Sequence, residues 1–229
     1  MLKAIVFDFD GVVVDSEPVH FAAMLEVGRG FGASFDYEAY QDKLIGFDDR
    51  DALSYILENW IPGQPRGNQV SLTPHQLMEL CAQKQQAFDR IAGAGVPTVP
   101  GTVELIDQAA GAGFPIAIGS GATRADIELI LKQLGRMDRF EHIVTANDVE
   151  KSKPHPQTYA MACDKLGFAP HECLAIEDTV AGLTSAKQAG LMTLALTTTT
   201  PADQLAIAQR VVPNLAGIGL DELKAWYSD

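Results

Sequence analysis

Lys3-Ala4-Ile5-Val6-Phe7-Asp8-Phe9-Asp10-Gly11-Val12-Val13-Val14-Asp15-Ser16-Glu17 is the stretch whose reading decides the fold. Its first half is a short apolar run rich in β-branched and aromatic side chains, which reads as a buried parallel strand. Two carboxylates and a glycine then end the run. Ligands of open α/β sheets bind outside the carboxyl ends of the strands, so Asp8 and Asp10 stand where chemistry is expected. Their spacing of two residues sends both side chains to the same side of a continuing strand. Carboxylates that close repel each other and are not tolerated unpaired in an apolar interior. A hard divalent cation such as Mg²⁺ would hold them, because it takes oxygen ligands, usually one or two carboxylates together with phosphate oxygens. The residues alone leave a plainer reading open, in which the acids only end a strand and cap the following helix.

The 229 residues allow one large domain, or a domain with a smaller appendage. A hydrophobic content of 47% is ordinary for a globular protein with a sizeable core. The net charge of −13 argues against non-specific binding to nucleic acid and against an anionic membrane surface. Cys81, Cys163 and Cys173 show no C-x-x-C spacing, so they are read as core residues rather than as disulfides or zinc ligands. No apolar run reaches the length of a membrane span, and Asp8 and Asp10 interrupt the one apolar run that could pass for a signal peptide. A soluble, reduced, cytoplasmic protein is expected.

From Ser16 to about Arg90 the pattern is helical. Apolar residues recur at three- and four-residue steps in 20–27 and again in 53–57. Ser16 is placed as an N-cap with Pro18 in the first turn. A further helix is predicted from Pro74 to about Ile91, with Thr73 as its cap. The Pro- and Gly-rich segment 61–68 reads as a loop, and 92–101 as a hinge back to the first domain. Strands and helices then alternate: strand 115–119, helix 124–134, strand 142–145, helix 156–166, strand 173–176, helix 180–189, strand 192–196. A short edge strand around Val211-Val212 and a helix over 220–226 close the chain. Such alternation predicts a parallel sheet with helices on its faces. The fold class is therefore α/β, a Rossmann-like parallel-sheet core of residues 1–15 and 97–229, with an all-helical cap of 16–96 inserted after the first strand. Gly28-Arg29-Gly30-Phe31-Gly32 follows a helical pattern rather than a strand, so it is no dinucleotide fingerprint. The threonines at 197–200 read as a plain loop.

Three later stretches also carry polar residues at predicted strand ends or turns. Ile116-Ala117-Ile118-Gly119-Ser120-Gly121 ends a strand in a small hydroxyl, which is either a turn residue or a donor to a phosphate oxygen, with backbone N–H groups following. Lys151-Ser152-Lys153-Pro154-His155-Pro156 sets two lysines in a proline-limited turn, as solvated side chains or as a counter-charge. Cys173-Leu174-Ala175-Ile176-Glu177-Asp178-Thr179-Val180-Ala181-Gly182 ends a strand in two acids, which either cap a helix or add ligands to a cation site.

Taken together, D-F-D-G-V-V-V-D-S-E, the Ser120 strand, K-P-H-P and E-D-T-V-A-G resemble, in order, the four motifs of the haloacid dehalogenase superfamily of phosphohydrolases. The resemblance covers essentially the whole chain and points to the subfamily of β-phosphoglucomutase and phosphoglycolate phosphatase. It implies Asp8 as nucleophile, Asp10 as general acid and base, Lys153 as the motif lysine, and Ser120 with Gly121 as phosphate contacts. It implies Mg²⁺ as cofactor, held by the Asp8 carboxylate, the Asp10 backbone carbonyl and the acidic pair, Asp178 first and Glu177 close behind. Within the cap it places His20 and Lys84 near the substrate, and Gly46-Phe47-Asp48-Asp49-Arg50-Asp51 resembles a specificity loop in which Arg50 contacts an anion. The mutase of this family has an arginine one place before Arg50, and Ser-Lys where Ala122-Thr123 stand here. Arg124 is the candidate replacement for that missing cation. The departure favours hydrolysis of a small phosphorylated metabolite over a phosphosugar mutase. A metal-free dehalogenase has no need of so many carboxylates, and a non-enzymatic relative would be expected to lack one of the motif residues.

Overall fold

In the computed structural model, residues 1–45, 47, 49–63 and 72–227 are described. They divide into two compact units, Met1–Asp15 with Val96–Asp229, and Ser16–Gly95.

The first unit is a six-stranded sheet with helices along the connections. Its strands are β1 (Ala4–Phe7), β2 (Ile116–Gly119), β3 (His142–Val144), β4 (Cys173–Glu177), β5 (Met192–Leu196) and β6 (Arg210–Val212). The order is β3-β2-β1-β4-β5-β6, and every pairing is parallel. Strand β1 is hydrogen-bonded on both sides, with Phe7 opposite Ile118 of β2 and Ile176 of β4. Strands β1, β2 and β4 are buried along their whole length, which is why they read as continuous apolar runs without alternation. The chain leaves β1 towards β2 on one side and later fills the other side with β4, so the carboxyl end of β1 is the point where the strand order reverses. In sheets of this order, that crevice is where ligands bind.

The helices of this unit are α5 (Thr102–Gly111), α6 (Arg124–Leu134), α7 (Gln157–Leu166), α8 (Val180–Ala189) and α9 (Leu220–Trp226), the labels α1 to α4 being kept for the second unit. Tyr159, Ala162, Cys163 and Leu166 on α7 pack with Ala4, Val6, Ala117 and Ala175 of the sheet. Cys163 and Cys173 lie in this core, and Cys81 is half-buried in the other unit, all as thiols rather than disulfides. Helix α5 falls in a stretch with no helix expected. Glycines at 111 and 113 obscure its pattern, yet Leu105, Ile106 and Ala109 form a buried face. At its start, the buried Thr102 hydroxyl donates to the Val12 carbonyl at 2.8 Å, tying the helix to the turn that follows β1.

The second unit consists of α1 (Glu17–Arg29), α2 (Tyr37–Lys43), α3 (Asp49–Asn59) and α4 (Pro74–Ala92). Its core gathers Met24, Val27, Tyr40, Leu53, Ile56, Leu57 and Leu80, with Phe35 stacked on Trp60 at 4.5 Å. Thr73 caps α4 in a full capping box with Gln76, as the S/T-x-x-E/Q pattern predicts. Ser16 stands at the N-cap of α1, but its side chain makes no capping bond there; its carbonyl accepts from Val19 and His20. Helix α2 is an addition to the helices read from sequence. It is mostly polar and buries only Tyr40, so it lacks an apolar stripe, but its Asp36 cap accepts from the Ala39 amide at 2.9 Å. Gly46 and Asp48 of the expected specificity loop, and 64–71 of the expected 61–68 loop and the segment after it, lie outside the described residues. Among the described residues no helix is long and apolar enough to cross a membrane.

Replacing Thr102 by Val keeps its shape and deprives the Val12 carbonyl of its donor. An unsatisfied buried acceptor costs about 1–3 kcal/mol, so thermal unfolding of Thr102→Val is expected to shift down by about 3–10 °C.

Candidate active site

The carboxyl ends of β1 and β4 and the turn before α7 bring Asp8, Glu177, Asp178 and Lys153 together. Asp8, Glu177 and Asp178 are buried, and each has an oxygen within 4.8 Å of the others. The Lys153 ammonium lies 2.6 Å from Glu177 Oε1 and 3.0 Å from Asp8 Oδ1. The placement follows from register: Asp8 is one residue past Phe7, and Glu177 one past the Ile176 that pairs with it. The Asp8 amide donates to the Ile176 carbonyl at 2.9 Å, holding the strand ends side by side.

Glu177 is saturated. Oε1 accepts from Lys153 Nζ at 2.6 Å and from the Tyr159 hydroxyl at 2.7 Å. Oε2 accepts from the Asp178 amide at 3.1 Å, the Thr179 amide at 3.2 Å and the Thr179 hydroxyl at 3.0 Å. Helix α8 runs flush against this carboxylate: a Cβ on Gly182 would sit 1.7 Å from Oε1. Although burial works to raise the Glu177 pKa, Lys153 and the hydrogen bonds outweigh it, so Glu177 carries its charge below the usual glutamate range.

Asp8 and Asp178 are in the opposite condition. Burial first, then the Glu177 charge, raises the Asp8 carboxyl well above its ordinary value. The same causes push Asp178 up to about 8, against a hydrogen bond from Thr199. Asp178 Oδ1 is buried with no hydrogen-bond partner. On the other side of that carboxylate, Gly11 adopts φ +71°, and a Cβ there would stand 1.8 Å from Oδ2. Asp10 is partly buried in the turn closed by Gly11 and Val14, near enough for its charge to raise both Asp8 and Asp178. Lys153 is the ammonium inside this acidic group, and Asp8 and Glu177 keep its pKa above the ordinary lysine value despite burial. The donor set is all oxygen, over-negative and contains an orphaned carboxylate oxygen. Those features fit a divalent cation.

Ser120 follows the last residue of β2, beside the end of β1, and is buried. Its Oγ accepts from the Ala122 amide at 3.0 Å, and Gly121 between them is exposed. Arg124 is turned elsewhere: its guanidinium binds the Ile143 carbonyl and Asp148, each at 2.9 Å. Tyr159, Thr179 and Thr199 complete the cluster; Thr179 also caps α8, one of the two caps the sequence offers there, while Tyr159 and Thr199 were not singled out from sequence. A tyrosine at a core-facing helix position reads as packing, and the Thr197–Thr200 run as loop; only Thr179, beside the acidic pair, carried a readable signal.

His20, Lys84 and Arg50 belong to the Ser16–Gly95 unit. Lys84 is 2% exposed, donates to His20 Nδ1 at 2.9 Å and pairs with Asp49 at 2.8 Å. That bond assigns the ring hydrogen of His20 to Nε2. Burial and then Lys84 lower the His20 pKa to about 3. The Tyr40 hydroxyl donates to Glu17 at 2.6 Å. Glu17, His20, Tyr40 and Asp49 line a cavity of about 210 Å³ inside this unit. Arg50 follows Asp49 on α3 and is exposed.

These findings converge on one family. The chain belongs to the haloacid dehalogenase-like hydrolase family, whose model matches residues 2–190, and it is an enzyme of the phosphatase type. It is 33% identical to the protein CbbY of Rhodobacter capsulatus over 94% of both chains. It is 30% identical to the fructose-1-phosphate phosphatase YqaB of Escherichia coli, over 82% of this chain and 92% of that one. A solved structure of CbbY from Rhodobacter sphaeroides, in complex with xylulose-(1,5)bisphosphate, superposes with a TM-score of 0.79 at 26% identity, covering 97% of this chain and 99% of that one.

Because the folded-state pKa of His20 lies far below the unfolded value, the imidazole stays neutral in the native protein and costs stability as pH falls from about 6.5 towards 3. Its ring resonances are expected to stay flat from pH 8 to about 4.5 in an NMR titration. A midpoint near 6.5 would contradict the buried Lys84–His20 contact.

Proposed function

We propose that the protein hydrolyses a small phosphomonoester, a sugar phosphate or phosphoglycolate, with Mg²⁺ as cofactor and an aspartyl-phosphate on Asp8. The observation that carries this reading is the pairing of Asp8 with Lys153 beside the unpartnered oxygen of Asp178. The names of the relatives, a fructose-1-phosphate phosphatase and a protein solved with a pentulose bisphosphate, support the substrate class.

Asp8, Asp178 and the Asp10 carbonyl would hold the cation, while Glu177, with both oxygens used within the protein, serves Lys153 and the turn at 178–179 instead. When bound, Mg²⁺ would neutralise the buried carboxylates and the charge on the phosphoryl oxygens. Asp8 attacks phosphorus in line, and the alkoxide leaves as its bond breaks. Asp10 gives that alkoxide a proton and takes one from the water that later attacks the acyl phosphate, so the proton count closes over the cycle. Lys153 offsets charge on Asp8 and on the phosphoryl oxygens, and Ser120 with the Gly121 amide donates to the same group. In the cap, His20, Lys84 and Arg50 would contribute to substrate choice. Arg124 is already bonded to Asp148 and Ile143, which argues against a second phosphate clamp at that place and so against a mutase.

Phosphate release should be measured on a panel containing fructose 1-phosphate, xylulose 1,5-bisphosphate, phosphoglycolate, β-glucose 1-phosphate, and other hexose and pentose phosphates. Mg²⁺-dependent release that drops on the order of 10³-fold in Asp8→Asn is expected. Conversion of β-glucose 1-phosphate to glucose 6-phosphate without release would move the assignment to a mutase.

Cation binding should also show without turnover. At a hundredfold excess over its Kd, Mg²⁺ contributes about 2.7 kcal/mol, a rise of about 5–10 °C in melting temperature for a chain of this size. Asp178→Asn is expected to lose most of that rise, and an equal rise in the variant would remove Asp178 from the ligand set.

A further inference from the structure

Tyr159 lies in none of the motifs, yet its hydroxyl ends on the same carboxylate oxygen as Lys153. It is fully buried on α7, and its ring also faces the ammonium, with Lys153 Nζ 4.9 Å from the ring centroid. We propose that Tyr159 is a positioning residue: by sharing Glu177 Oε1, it keeps the Lys153 ammonium divided between Glu177 and Asp8. This deepens the hydrolytic reading above and rests on it for its effect on rate.

The physical case runs through the two oxygens of Glu177. A carboxylate oxygen with two donors pulls on each less strongly than an oxygen with one, because the second donor takes up part of its charge. Oε2 is fixed by two amides and a hydroxyl, and Gly182 closes the space beside the carboxylate, so Glu177 is held in place. Any imbalance at Oε1 is therefore taken up by the longer and more flexible partner, Lys153. That side chain already sits closer to Glu177, at 2.6 Å, than to Asp8, at 3.0 Å. Removing the tyrosine hydroxyl leaves more of the Oε1 charge to Lys153 and draws the ammonium further from Asp8. The phosphoryl group on Asp8 then loses part of the positive charge that Lys153 supplies. The substitution leaves the side chains of the cap and of Asp8, Asp10 and Asp178 chemically unaltered.

Tyr159→Phe keeps the ring and removes only the hydroxyl. In the Mg²⁺-loaded enzyme, kcat is expected to fall about tenfold, with KM and the Mg²⁺ concentration for half-activation within about twofold of wild type. A residue that only packs α7 would lower the melting temperature without moving kcat at temperatures where the variant is folded. A second measurement needs no turnover: in protein labelled with ¹⁵N-lysine, the Lys153 ammonium resonance, assigned with Lys153→Arg, is expected to shift in Tyr159→Phe. Unchanged kcat overturns the proposal, as does a loss of activity that appears in KM or in metal affinity. If the wild type releases phosphate from nothing on the panel, the hydrolytic reading fails by itself. The ammonium resonance then decides: a shift upholds the role of Tyr159, and its absence overturns it.

Discussion

One ammonium among three buried carboxylates is the constraint on which the rest of this molecule depends. Lys153 cannot neutralise Asp8, Glu177 and Asp178 at once. The structure resolves the conflict unevenly. Glu177 receives Lys153, a tyrosine hydroxyl and the donors of the turn that follows it, and is left fully satisfied. Asp8 and Asp178 are left short of positive charge, and burial makes that shortage expensive. Such an all-oxygen, over-negative cluster fits a divalent cation. Two glycines follow from the same crowding. Gly11 and Gly182 bring backbone against Asp178 and Glu177 at distances that no Cβ allows.

The sheet explains how four segments distant in sequence meet. Because β1 is central and paired on both sides, the residues just past Phe7, Gly119 and Ile176 emerge next to one another. Helix α7 then supplies Tyr159 from behind, and the turn before it supplies Lys153. The Ser16–Gly95 unit offers an instructive contrast. There a buried Lys84 meets one carboxylate, Asp49, and one neutral imidazole, His20. Among those three side chains the one positive and the one negative charge are paired directly. The two lysines thus have different electrostatic duties, one holding an excess of acid in check and the other closing a polar cluster inside a helical unit.

What the sequence by itself determined was the parallel sheet, the helical insertion and the principal acidic and basic residues at strand ends. Those features are local: buried parallel strands are unbroken apolar runs, and chemistry at their ends appears as an abrupt change to Asp, Ser or Glu. Helices α2 and α5 were less legible, the first for want of an apolar stripe and the second because glycines interrupt its pattern. Only the tertiary structure decided how the charges are shared. That Lys153 pairs with Glu177, that Arg124 reaches Asp148 and that the Tyr159 hydroxyl meets a carboxylate all depend on which donor lies within about 3 Å of which oxygen. That is set by register between strands and by helices packed from far along the chain, and no spacing of residue types encodes it.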